Sequence, residues 1–184
     1  RDSSTSRGLG DVYKRQFQPP RGNAPGPQLE GRVALVFGAG SAGDGWGNGK
    51  ASAVAYARAG ARVVAVDVDG DAAAVTRDII RGEGLEAISV AADVTRLADV
   101  QQAVGQALAA FGRIDVLHNN VGITSQGGPI ETTEDTWDRV MTVNAKSMFL
   151  TCKCVLPVML EQGSGAIVNI GALGGVRWTG YAYC

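Results

Sequence analysis

The sequence predicts an α/β fold built on a doubly wound parallel sheet with helices on both faces, and three observations carry that prediction. From Gly31 onward, short apolar runs of β type alternate with segments of helical periodicity, the pattern of a parallel sheet covered on both sides. The first run opens into a glycine-rich turn that leads directly into a helix. Five strand-and-helix units follow one another without any internal repeat.

Residues 1–28 stand apart from this pattern. They hold five apolar residues (Leu9, Val12, Tyr13, Phe17, Ala24) against eleven Gly, Pro or Ser, too little apolar surface to offset the entropy of ordering them. With no amphipathic period they read as a disordered or non-native tail rather than a transit peptide, and residues 29–184 as the folded domain. Strands are expected at 33–37, 62–67, 86–91, 114–119 and 166–170, and helices at 50–59, 71–81, 96–111 and 134–162. In the third helix Leu97, Val100, Val104, Leu108 and Phe111 recur at three- and four-residue steps behind Thr95, which reads as a cap. The fourth follows Thr133, places Glu134 and Asp135 against the helix dipole, and shows an apolar stripe of Trp137, Met141, Met148, Cys152, Val155 and Met159. Pro157 is expected to kink it.

Composition excludes several partners. Seventeen basic and eighteen acidic residues leave a net charge of −1, so there is no basic field for nucleic acid or a membrane surface. The apolar runs are strand-length, short of the roughly 18 residues of a membrane span. An odd number of cysteines, three, and no obvious secretory leader favour a reducing, cytoplasmic location. Cys152 and Cys154, two apart on a helix, make a poor metal pair and read as packing residues; no metal site is expected.

The turn Gly38 to Gly49 sits between strand and helix, where backbone can approach a pyrophosphate and helix amides supply positive potential. Gly38, Ser41, Gly47, Asn48 and Gly49 are the candidate phosphate contacts. Asp67 ends the second strand eighteen residues beyond Gly49, near the spacing of about 20 at which a carboxylate meets the adenosine ribose. A carboxylate there accepts from ribose hydroxyls and repels a 2′-phosphate, so NAD is expected over NADP. Methyltransferases share this layout but usually carry an acid just before the first glycine, where this chain has Phe37, and that disfavours them.

Together these residues resemble the short-chain dehydrogenase/reductase family over about residues 30 to 184. Gly38 through Gly49 is similar to the family's Thr-Gly-x-x-x-Gly-x-Gly; Asp93-Val94 resembles its adenine-contacting pair; His118-Asn119-Asn120-Val121-Gly122 resembles its Asn-Asn-Ala-Gly, which places Asn120 and Gly122 at the cofactor. Asn144 resembles the helix asparagine that holds a proton-relay water in this family, and Tyr183 its catalytic tyrosine. The resemblance implies a Rossmann fold and reversible hydride transfer between a nicotinamide cofactor and a small alcohol or carbonyl, with a tyrosine managing the proton. It also implies a homo-oligomer when full length, with Trp137 and the helix methionines in the core or at that interface.

The sequence departs from the pattern at several points. The tyrosine's lysine partner would be residue 187, beyond Cys184, and Gly171-Ala172 stand where the family has serine. The chain therefore reads as an N-terminal portion, truncated just before or within its catalytic helix and inactive alone; the alternative is a dinucleotide-binding module without catalysis. The phosphate loop is five residues longer than usual, Phe37 replaces a threonine, and Asp44 must point away from a bound pyrophosphate. His118, the sole histidine, reads as a satisfied core residue.

Overall fold

The computed structural model describes residues 28–41, 43, 45–128 and 130–171. Five strands, β1 (Val33–Phe37), β2 (Arg62–Asp67), β3 (Ala87–Ala91), β4 (Val116–Asn119) and β5 (Ala166–Asn169), form one parallel sheet in the order β3-β2-β1-β4-β5. The chain winds outward one way from β1 to β3, then crosses back to β4. That reversal parts the two halves at the carboxyl ends of β1 and β4, where open sheets of this type leave a crevice.

Strand residues alternate between two cores. Val33, Leu35 and Phe37 of β1 and Val64 and Val66 of β2 point into one, with α3 (Leu97–Phe111) and α5 (Ser147–Gln162) laid over them. Ala34, Val36, Val63 and Ala65 point into the other, beneath α1 (Asn48–Arg58) and α2 (Gly70–Gly82). Both faces are buried, which is why these strands read as continuous apolar runs. Phe37 is part of the first core at 1% exposure, so the position before the glycine turn serves packing.

The helices show where sequence periodicity misleads. Helix α2 starts at Gly70 because Asp69 accepts from the amides of Asp71 and Ala72. Helix α3 is not capped by Thr95: its cap position is Arg96, and Thr95 instead donates both its amide and hydroxyl to Asp93 Oδ1, at 2.8 and 2.7 Å. Its buried stripe is Val100, Ala103, Val104 and Ala107, with Leu97 exposed. Strand β4 begins at Val116 rather than 114 because the Gln162 side chain takes both ends of the Ile114 residue, accepting from its amide at 3.0 Å and donating to its carbonyl at 2.8 Å.

The long helix over 134–162 is three pieces: α4 (Glu134–Met141), a π-helical turn at Thr142–Lys146, and α5. Thr133 caps α4 as expected, accepting from the Thr136 amide. The departure from α geometry lies at the π turn, not at Pro157, which sits inside α5. The buried face is Val140, Ser147, Leu150, Thr151, Val155 and Met159, one position earlier through the middle than the apolar stripe implies. Trp137 and Met141 are 43% and 42% exposed, so they are not core. By length and composition this stretch is apolar enough to cross a membrane, but one side of it belongs to the core against β4 and α3. Cys152 and Cys154 are half-buried against the same core, and no metal-holding cluster exists among the described residues.

Candidate active site

A cleft of about 870 Å³ opens at the carboxyl ends of β1, β2 and β4. Gly38, Ser41, Gly47, Asn48, Gly49, Asp67, Asp93, Val94, Asn120 and Gly122 all line it. The glycine turn is rooted on β2 by two bonds, from the amides of Gly38 and Ala39 to the Val66 carbonyl, and by Thr76, whose hydroxyl donates to the Ala39 carbonyl at 2.6 Å.

Two glycines are required by contact. A Cβ at Gly49 would overlap the carbonyl oxygen of Gly38, so the first turn of α1 lies directly on the loop. A Cβ at Gly40 would fall 2.7 Å from Asp67 Oδ2, the oxygen that accepts the Gly40 amide at 2.9 Å. The other carboxylate oxygen accepts the Asp69 amide at 3.1 Å. Asp67 is thereby fixed at the cleft with one lone pair on each oxygen still free, since an ionised carboxylate offers about four acceptor sites. Helix α1 has Gly47 at its cap position, no side-chain cap and no acidic residue in its first turn, so its leading amides are available to an anion.

The described residues of the five-residue insert stay out of the cleft. Ser41 Oγ accepts the Gly47 amide at 2.8 Å and closes the neck of the loop. Of the described insert residues Gly43, Gly45 and Trp46, none lines the cleft, and Trp46 is 60% exposed. Ser41 and Gly47, on either side of the insert, both line the cleft.

On the β4 side, the two asparagines divide their work. Asn119, buried, donates to Asn169 Oδ1 at 2.9 Å and accepts from the Thr151 hydroxyl at 2.8 Å, tying β4 to β5 and α5. Asn120 donates to the Gly38 carbonyl at 3.1 Å, bridging the two halves of the sheet at the cleft floor. Asn144 lies in the π turn and grips Ile123, donating to its carbonyl and accepting from its amide, both at 2.8 Å. Its polar atoms thus have partners, and the grip fixes the turn, whose Thr142 and Val143 line the cleft. π turns inside α-helices frequently mark functional sites.

His118 is 3% exposed; the Tyr56 hydroxyl shares a hydrogen bond with its Nδ1 at 2.9 Å, and Nε2 has no partner among the described residues. Burial pushes its pKa down, so it stays neutral, and it does not line the cleft. It is a core residue, but only half satisfied. Tyr183, Ala172 and Asp44 lie outside the described residues, as do residues 1–27. Among the cleft residues that sequence reasoning missed are Gly40, Asp69 and Thr95, and on α4 and the π turn Asp138, Arg139, Thr142 and Val143. Gly40 had a signal, its place in the glycine run; the α4 and π-turn residues had none, because the cleft reaches them only through the tertiary fold.

The model of the family described as short chain dehydrogenase matches residues 32–183. The chain belongs to the short-chain dehydrogenase family. Among curated relatives, a 2-(R)-hydroxypropyl-CoM dehydrogenase of Xanthobacter autotrophicus is 47% identical over 89 residues, covering 47% of this chain and 36% of that protein. A 3-oxoacyl-[acyl-carrier-protein] reductase of Staphylococcus epidermidis is 35% identical over 108 residues, covering 56% and 44%. A solved short-chain dehydrogenase/reductase structure from Burkholderia xenovorans superposes with a TM-score of 0.82 at 47% identity, covering 86% of this chain and 63% of that one. The matches span less than half the length of those curated relatives. Membership of this family leaves the methyltransferase alternative without support.

Proposed function

We propose that the cleft binds NAD(H) and that the chain forms the dinucleotide-binding part of an oxidoreductase interconverting a small alcohol and its carbonyl. The oxidoreductase class follows from the family; the cofactor preference and the catalytic residues are our reading. The observation that carries it is Asp67, whose carboxylate is oriented into the cleft by the Gly40 and Asp69 amides with acceptor capacity to spare. Ribose hydroxyls satisfy that capacity, whereas a 2′-phosphate would face Asp67 and Asp69 together.

The cleft also fits the rest of the cofactor. Gly40 and Gly49 keep backbone where a Cβ would intrude, and the uncapped amides opening α1 suit a diphosphate. Asp93 and Val94 would hold the adenine end; Asn120 and Gly122 would line the path to the nicotinamide. The nicotinamide supplies the hydride acceptor or donor. Within the chain, Asn144 would hold the π turn in place for a relay water and Tyr183 would donate or accept the substrate proton.

Calorimetric titration tests this reading. NADH is expected to bind more tightly than NADPH and more tightly than S-adenosylmethionine; reversal of either order, or no NADH binding, overturns it. The exposed outer face of α5, where Phe149, Leu156 and Leu160 are 61%, 41% and 77% exposed, supports our further expectation of a homo-oligomer for the whole protein, checked by light scattering.

A further inference from the structure

Lys50 is the feature that the site as described leaves without a task. It stands in the first turn of α1, where a cation opposes the helix dipole, and only 6% of it is exposed. It does not line the cleft. A buried ammonium needs hydrogen-bond partners, and its Nζ donates to the Gly45 carbonyl at 3.1 Å, within the insert that lengthens the phosphate loop.

The geometry points to a positioning role. Among the described residues, two bonds close the inserted excursion: Ser41 to Gly47 closes its neck, and Lys50 to Gly45 ties the part beyond the neck to the first turn of α1. The residues that line the cleft, Ser41, Gly47, Asn48 and Gly49, lie immediately on either side of that excursion. Gly47 is also the cap residue of α1, so any displacement of the excursion acts on the amides that open the helix.

We propose that Lys50 is a positioning residue for the diphosphate end of the cleft, acting through Gly45 to keep the inserted loop from disturbing the Ser41 to Gly49 backbone. The proposal rests on the reading of the cleft as a dinucleotide site. It predicts an effect confined to ligands that carry a diphosphate, because at the adenosine end Asp67 is held by the Asp69 amide, Asp93 by Thr95 and Val94 by the core, none of them through Lys50.

The test compares NADH with adenosine by calorimetry on the purified chain. Lys50→Met is expected to weaken NADH by about tenfold, the scale of losing a charge-assisted hydrogen bond, and to leave adenosine within about twofold. The same substitution in a chain lacking residues 42–46 is expected to shift NADH binding by less than about twofold, since the tie then has nothing to hold. Equal loss for both ligands, or a tenfold loss that persists without the insert, means a general or direct role and overturns the proposal. Undiminished NADH binding by Lys50→Met overturns it while leaving the cofactor reading intact; no NADH binding by the unsubstituted chain overturns both.

Discussion

The two ends of the sheet use the same chemical groups to opposite purposes. At the amino end of β4, Asp115 is 6% exposed and fully engaged: it accepts from Arg32 at 2.8 Å, from Arg113 at 2.7 and 2.6 Å, and from the Val33 amide at 2.9 Å. At the carboxyl end of β2, Asp67 meets no cation among the described residues and accepts from two of their backbone amides. A carboxylate with every lone pair committed can only stabilise. One that is oriented yet half-used can bind. The amides repeat the contrast: Gln162 and Asn144 each make the same two-bond grip on a residue flanking β4, but only Asn144 does so from a π turn at the cleft.

Substitutions at the two ends should therefore separate stability from binding. The largest effect is expected from Gly49→Ala, which forces a methyl onto the Gly38 carbonyl: NADH binding should vanish and stability should fall by on the order of 3 kcal/mol, measured by calorimetry and urea unfolding. Asp115→Asn should cost about 2 kcal/mol, discounted because Arg32 and Arg113 are 48% and 38% exposed, with NADH affinity unchanged. Asp67→Arg should do the reverse, lowering NADH affinity by about tenfold and removing the preference over NADPH, with the unfolding midpoint nearly constant. Loss of binding in the Asp115 variant, or an unaltered preference in the Asp67 variant, would break the contrast.

Two pH limbs sharpen it. The guanidinium groups of Arg113 and Arg32 and the Val33 amide outweigh burial and hold the Asp115 carboxyl down at about 2, below its ordinary 3.8. Its contribution is thus complete above pH 3.8 and is lost as pH falls toward 2; Asp115→Asn should remove that acid limb from the unfolding curve. The smallest effect belongs to His118. With its folded pKa pushed below 6.5 by burial, it favours the folded state above that pH and withdraws support as acid charges it in the unfolded chain. His118→Phe should flatten the stability profile just below pH 6.5 without moving NADH affinity.

Much of this was legible in the sequence. Apolar runs gave β1 and β2 to the residue, because strands buried on both faces leave no polar interruptions, and the glycine turn and Asp67 do meet at one cleft. The long helix was misread because Ser147 and Thr151 occupy buried sites that a pattern of apolar residues passes over. Their hydroxyls are satisfied by the Val143 carbonyl and by Asn119, partners that a periodicity of apolar residues does not register. Gln162 was invisible for the same reason: a glutamine at a helix end looks like solvent-facing surface until the residue it grips is known.

The paired grips of Asn144 and Gln162 have one more consequence. They bolt the helical stretch between them to fixed points before and after the same strand, so its span is set by β4 rather than by its own length. The wider π turn then serves as slack in a strut, housing a surplus residue that a uniform α-helix of that span would have to expel. Removing one residue other than Asn144 from 142–146 should therefore leave a uniform α-helix of the same span with both bolts in place, so the turn absorbs length that the strand does not fix.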